Sequence, residues 1–364
     1  MTNITKQQEI THTPILPEGR NSTADFLKGI AVLCMIQVHL TENFAVSELE
    51  KGWFGNISMF LGGPLAAPLF MGIMGYFLAS SKKSFPQLIL RGVKLIVGGL
   101  LLNIGLNLHL LFLIYQGKSQ INPHPYIFGV DILFLAGLST LIIALIKLLL
   151  RDKYYLYFII AVAIVLLTPI ITIADSSATN LMNYIHSYIG ARTSWSYFPL
   201  FPWMAYPLTG FAFYGLSNIA TALKNISLKI IIGFSGVFAI YLVLSWKYVS
   251  GITANLPVYY HHDYIFFIWT ISFLSAIIMV SAYRNIAMKN NFLNKFIKWI
   301  GVNVTAAYVF QWLIIGNIST ALYKTQNEFQ LAAWFAAALA AVSALILLWN
   351  KLVYYWVNDT SPEE

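Results

Sequence analysis

His39 is the residue best suited to chemistry in this chain. A neutral imidazole exchanges protons near physiological pH, and it can also accept an acyl group transiently. His39 lies in DFLKGIAVLCMIQVHLTEN, residues 25–43, an apolar run that reads as a membrane-spanning helix carrying one polar stripe. At 100° per residue, Lys28 and His39, eleven positions apart, fall about 20° from each other, and Asp25 falls about 40° from His39. Glu42 and Asn43, three and four residues beyond His39, extend the stripe. At 1.5 Å per residue, His39 stands roughly 20 Å from Asp25 in a hydrocarbon core about 30 Å thick. Ionisable groups at such depth are costly and mark a reaction centre or a pathway. The alternative is a bundle histidine hydrogen-bonded to a neighbouring helix.

A general base needs an orienting group, and two carboxylates stand at suitable depth. Asp131 is expected either to belong to the site or to pair with Asn107 or His109; Glu42 either joins the site or ends its helix at the interface. At the other end, Lys28, Arg91 and Lys94 form a candidate anion site, with ordinary basic flanking as the alternative for Arg91 and Lys94. Gly62, Gly63, Pro64, Pro68, Gly72 and Gly75 predict a second span that is tightly packed or broken beside a cavity, and Pro199, Pro202 and Pro207 do the same near Trp203. Tyr197 and Trp203 are candidates to stack on a sugar. His261, His262 and Asp263 lack further spaced ligands, so no metal site is expected. Asn303 and Gln311 share nearly one face and either line a cavity or bond between helices.

The elements that must position these residues follow from composition. With 58% hydrophobic and 10% charged residues and a mean hydropathy of +0.69, the chain of 364 residues reads as an all-α polytopic membrane helix bundle. About ten spans are expected, near 26–46, 57–80, 88–114, 126–149, 154–174, 198–218, 228–247, 263–283, 297–318 and 330–356. With the amino terminus inside, only Lys51, Lys118, Arg192, Lys247 and Lys324 of the 22 basic residues fall outside. That bias places both termini in the cytoplasm and accounts for the +8 charge without a nucleic-acid partner. Cys34 is the single cysteine, so disulfides and cysteine metal sites are excluded. Residues 1–20 read as a polar cytoplasmic tail without a signal peptide, 21–357 as one transmembrane domain, and 358–364 as a second cytoplasmic tail. The outer connections 175–197 and 248–262 are long and rich in Tyr, Ser, Asn and Thr, a surface suited to a sugar.

The residues Asp25, Lys28, Gly29, Ile30, Ala31 and His39 resemble the D-x-x-R-G-[IV]-A opening of the acyltransferase-3-related membrane acyltransferases, with Lys in place of Arg. Residues 62–83, 130–139 and 196–210 resemble the second span, the fourth span and the Pro-Trp span of the heparan-alpha-glucosaminide N-acetyltransferase-like branch, including its bacterial members. The resemblance covers roughly residues 20 to 320. It implies an acyltransferase that moves an acetyl group from cytoplasmic acetyl-CoA, or a related acyl-CoA, to an amine or hydroxyl of a saccharide at the outer face of a bacterial inner membrane. His39 would act as base or acyl carrier, with Asp131 and Glu42 beside it. Lys28, Arg91 and Lys94 would hold the phosphates of coenzyme A, although Lys28 lacks the fork of the family's Arg. The alternatives are a polysaccharide O-acetyltransferase and a transporter in which Lys28, His39 and Asp131 line a translocation path. The expected partners are acyl-CoA, a saccharide and the lipid bilayer; monomer and homo-oligomer both remain open.

Overall fold

The computed structural model describes residues 21–171, 181–216, 228–287 and 291–359. The expected tail at 1–20, the last residues of the second tail, the first part of the 175–197 connection, and Lys6, Arg20, Lys224 and Lys289 lie outside the described residues. An apolar chain in lipid must satisfy its backbone internally, and helices do this. The described residues are helical with no strand, only a single parallel bridge between Ala45 and Gln326.

In chain order the helices are α1 (Ser22–Phe44), α2 (Ser47–Lys51), α3 (Trp53–Gly62), α4 (Ala67–Ala79), α5 (Phe85–Leu106) and α6 (Leu108–Tyr115). They continue with α7 (His124–Ile127), α8 (Ile132–Leu150), α9 (Tyr154–Ile171), α10 (Leu181–Ile189), α11 (Leu200–Trp203) and α12 (Ala205–Tyr214). The last six are α13 (Leu228–Thr253), α14 (Leu256–Tyr260), α15 (Tyr264–Ala287), α16 (Phe292–Val302), α17 (Val304–Leu322) and α18 (Glu328–Asp359). Among the described residues, nine stretches are long and apolar enough to cross a membrane, taking α3 with α4 as one. The expected span at 198–218 is not a continuous helix: Pro199, Pro202 and Pro207 lie where the chain divides into α11 and α12. The expected span at 88–114 is likewise divided at Asn107, and the one expected from 126 begins at Ile132 because Asp131 caps it.

α1 is the central element. Asn21 caps it by accepting a hydrogen bond from the Ala24 N–H, and it packs against α3, α4, α15, α16, α17 and α18. Its first half crosses α16 backbone to backbone. A Cβ on Gly29 would lie 1.9 Å from the Ile297 carbonyl oxygen, and one on Gly301 would lie 1.8 Å from that of Asp25. At and beyond its carboxy-terminal end the chain is tied to the α17–α18 connection: Lys324 N–H donates to the Asn43 carbonyl, Gln326 N–H to Phe44 and Val46 N–H to Gln326.

Two loops are drawn toward the bundle by polar side chains and short backbone ties. The Asn103 amide of α5 donates to the carbonyls of Ile127 and Gly129, at 3.0 and 2.9 Å. Val130 N–H donates to Trp195, and Phe198 N–H returns the bond to Val130. These ties set Asp131, at the start of α8, beside Phe198 in the wall of the site.

Candidate active site

The second half of α1 faces a small cavity of about 60 Å³. His39 and Glu42 enter it from α1, Asp131 from the cap of α8, Tyr308 and Trp312 from α17, and Tyr260 from α14. The break between α3 and α4 forms another wall through Gly62, Gly63, Ala66 and Ala67. The glycines of the second span therefore do what their clustering predicts: they interrupt the helix where backbone lines a cavity. The Tyr259 hydroxyl, buried, donates to the Gly63 carbonyl at 3.0 Å and satisfies one of the groups the break exposes.

His39 packs its ring against Trp312, with centroids 4.0 Å apart and planes inclined by 32°. Its Nδ1 is buried and has no hydrogen-bond partner. Neither carboxylate orients the imidazole by a bond to Nδ1, contrary to the expectation for a base with an acidic partner. Each is bound instead to a tyrosine. Tyr308 donates to Asp131 Oδ1 at 2.5 Å, and Tyr260 donates to Glu42 Oε1 at 3.5 Å. Asp131 also accepts from the Leu133 N–H as the cap of α8. Asn107 and His109, the alternative partners for Asp131, are engaged elsewhere: Asn107 donates to Tyr126 and Asn103 carbonyls, and His109 meets Thr320.

The residues expected to bind a sugar occupy different layers. Tyr197 is 40% exposed and sets its ring edge-on to Tyr260, 5.4 Å between centroids. Trp203 is wholly buried. Its indole N–H donates to the Tyr260 carbonyl at 2.7 Å, so it props the cavity wall from behind and presents no free face for stacking. Next to it His262 is held between two tyrosines, Nε2 2.8 Å from the Tyr206 hydroxyl and Nδ1 2.9 Å from the Tyr259 carbonyl. A carbonyl only accepts, so Nδ1 carries the proton and Nε2 accepts from Tyr206. Burial pushes the His262 imidazole down to about 4. Among the described residues no three His, Cys, Asp or Glu side chains gather as a metal site.

The amino-terminal end of α1 is organised differently. Lys28 forms an ion pair with Asp25 at 2.7 Å, and both side chains are largely buried. Arg91 and Lys94 lie on α5, which packs against α8 and α17. Between Lys28 and the cavity, α1 is filled by the buried Ala31, Val32 and Met35. Asn303 bonds between helices, accepting from Asn350 at 3.1 Å, whereas Gln311 is fully buried with both amide atoms unpartnered.

Sequence reasoning did not find Tyr260, Tyr308 or Trp312. Tyr308 and Trp312, four residues apart on α17, share a face that adjoins Gln311, and that spacing was the available signal. The family profile described as heparan-alpha-glucosaminide N-acetyltransferase, catalytic, matches residues 20–245. The chain belongs to that family. It is, in kind, a membrane acetyltransferase. The matched stretch holds His39, Glu42 and Asp131, while Tyr260, Tyr308 and Trp312 complete the same cavity from beyond it. No curated protein and no solved structure matches the chain.

Proposed function

We propose that this family member transfers an acyl group, acetyl first among them, from a coenzyme A thioester arriving at the cytoplasmic side to an amine or hydroxyl of a saccharide at the outer side. One observation carries the reading: in a chain of an acetyltransferase family, His39 shares a single cavity with two tyrosine-bound carboxylates. In direct transfer, the acceptor nitrogen or oxygen attacks the thioester carbonyl carbon while His39 takes its proton. The C–S bond then breaks, and the leaving thiolate recovers that proton from His39. In the alternative path, His39 itself carries the acyl group between donor and acceptor. Asp131 and Glu42 accept hydrogen bonds from the acceptor's neutral amine or hydroxyl in either path. Tyr197 meets the sugar at the mouth, with Trp203 supporting Tyr260 behind it. Lys28, Arg91 and Lys94 contact the phosphates of coenzyme A, Lys28 exchanging its Asp25 partner for them.

The test is thioester cleavage by the purified protein in liposomes, with and without a glucosamine-type acceptor. Acceptor-stimulated coenzyme A release is expected to fall between about 10²- and 10⁴-fold in His39→Ala, the range for loss of a general base. Unchanged release in His39→Ala would remove His39 from the mechanism. Accumulation of acceptor inside vesicles with no cleavage by wild type would replace transfer with transport.

A further inference from the structure

Around the contact of α1 with α17 lie three polar side chains with buried atoms: His39 Nδ1 has no hydrogen-bond partner, the Trp312 indole N–H has only the Tyr308 hydroxyl beside it, and the amide of Gln311, next to Trp312 in the chain, is unpartnered. Buried polar groups are nearly always satisfied in a folded protein, and an orphan calls for an explanation. Here the three belong to adjacent positions. Trp312 lies against the His39 ring and lines the cavity beside the Tyr308 hydroxyl; Gln311 precedes it in the chain and is fully buried. At other helix contacts some buried polar groups lack partners, Ser139, Trp269 and Ser343 among them, and others are fully satisfied. Gln37, Thr41 and Ser58 satisfy one another between α1 and α3, and Asn317 bonds across to Gly105.

The inventory of the seam indicates what it receives. An indole N–H only donates, and a primary amide offers two further donor hydrogens. Donors grouped beside the proposed base suit an oxygen that gains negative charge as the reaction proceeds. The cavity wall itself carries the two carboxylates Glu42 and Asp131 and no lysine or arginine, so N–H donors are the groups at hand to stabilise an anion there. Resting on the acyl-transfer reading above, we infer that the His39–Trp312 seam is the oxyanion site. Trp312 Nε1–H is the principal hydrogen-bond donor to the thioester carbonyl oxygen, and the Gln311 amide is the second. As the acceptor attacks the carbonyl carbon and passes its proton to His39, the π electrons move to that oxygen. The two donors hold the resulting alkoxide until it re-forms the carbonyl and expels the thiolate. Trp312 thus has two tasks, fixing the imidazole with its ring and binding the oxyanion with its edge.

Trp312→Phe keeps a ring against His39 and removes only the donor. It is expected to lower kcat about 10²-fold, with the KM values for acetyl-CoA and acceptor changed less than about threefold. Gln311→Leu, which replaces an unsatisfied amide by an apolar side chain of similar size, is expected to raise the melting temperature while lowering kcat about 10-fold. A binding readout stands apart from turnover. The ketone analogue of acetyl-CoA in which CH₂ replaces the thioester sulfur, labelled with ¹³C at the carbonyl, should show its infrared carbonyl band moved to lower frequency on wild type. On Trp312→Phe the band should return toward its free position. A band on wild type at the free position, or equal bands and equal kcat in wild type and Trp312→Phe, overturns the oxyanion assignment. If His39→Ala abolishes transfer while Trp312→Phe retains it, this inference alone fails. If His39→Ala retains transfer, the reading beneath it fails as well.

Discussion

The two ends of α1 carry similar residue types and treat them in opposite ways. At the amino-terminal end Asp25 and Lys28 are paired at 2.7 Å, and the helix lies in backbone contact with α16 through Gly29 and Gly301. At the carboxy-terminal end the Glu42 side chain is met by a tyrosine hydroxyl at 3.5 Å, its backbone carbonyl by the Lys324 ammonium at 2.6 Å, and His39 Nδ1 has no partner, beside a helix break and a cavity. Polar groups in an apolar medium are stable when paired and reactive when held unpaired, so the first arrangement holds the helix and the second is available for chemistry. The proximity of polar residues along a stripe does not separate these roles. Their partners do.

The contrast breaks most severely at Gly301. Gly301→Val places a Cβ 1.8 Å from the Asp25 carbonyl, and neither backbone has a flexible end to move aside. The expected result is loss of folded protein, above about 4 kcal/mol, seen as failure to elute as a monodisperse peak. Lys28→Met is next. It breaks a largely buried ion pair and is expected to cost about 3 kcal/mol, read as a lower melting temperature. Asp25→Asn combined with Lys28→Met should recover most of that stability. If Lys28 also meets coenzyme A, the double variant keeps a KM for acetyl-CoA raised about 10-fold; a wild-type KM would confine Lys28 to structure.

His262 gives a comparison by pH. The folded protein holds its imidazole neutral down to about 4, whereas an exposed histidine takes a proton below about 6.5. Between those values the unfolded chain binds more protons. Stability is therefore full above 6.5, falls as pH is lowered toward 4, and levels off below that, by about 3 kcal/mol at most. The melting temperature of wild type against His262→Gln over this window checks it: the variant should start lower and show the shallower slope. Equal slopes would assign the acid sensitivity to other groups, with Asp263 and His261 the nearest in sequence.

Much of this fold could be read from the chain because the bilayer enforces it. Apolar runs of sufficient length had to become spans, the stripe on α1 had to share a face, and the glycines at 62 and 63 had to loosen a helix. Partnerships between spans were not legible. The Tyr308–Asp131 bond joins residues 177 positions apart, and periodicity within either span says nothing of the other. Trp203 looked like a stacking platform because its proline-rich setting suggests a pocket. Its burial comes from packing against Phe198, Tyr206, Tyr259 and His262, brought in from three segments. Asp131 read as a carboxylate inside the end of a span beginning near 126 because the run before α8 is apolar; it is a cap, and the residues just before it are tied to Asn103 and Trp195.

The smallest effects lie around the cavity, where the two carboxylates can be compared. Tyr308 meets Asp131 at 2.5 Å, a short hydrogen bond, whereas Tyr260 meets Glu42 at 3.5 Å, at the edge of what counts as a bond. Removing the first hydroxyl leaves a buried carboxylate without its principal side-chain partner, so Asp131 turns toward whatever donor the acceptor supplies, or out of place. Removing the second changes little that the geometry supports. Tyr308→Phe is therefore expected to lower kcat/KM for the acceptor about 10-fold, and Tyr260→Phe less than about threefold, both in the liposome assay at fixed acetyl-CoA. The reverse order would make Glu42 the carboxylate that serves the acceptor and leave Asp131 with the capping of α8. Equal and small effects would show that the tyrosines pack the cavity without tuning either acid.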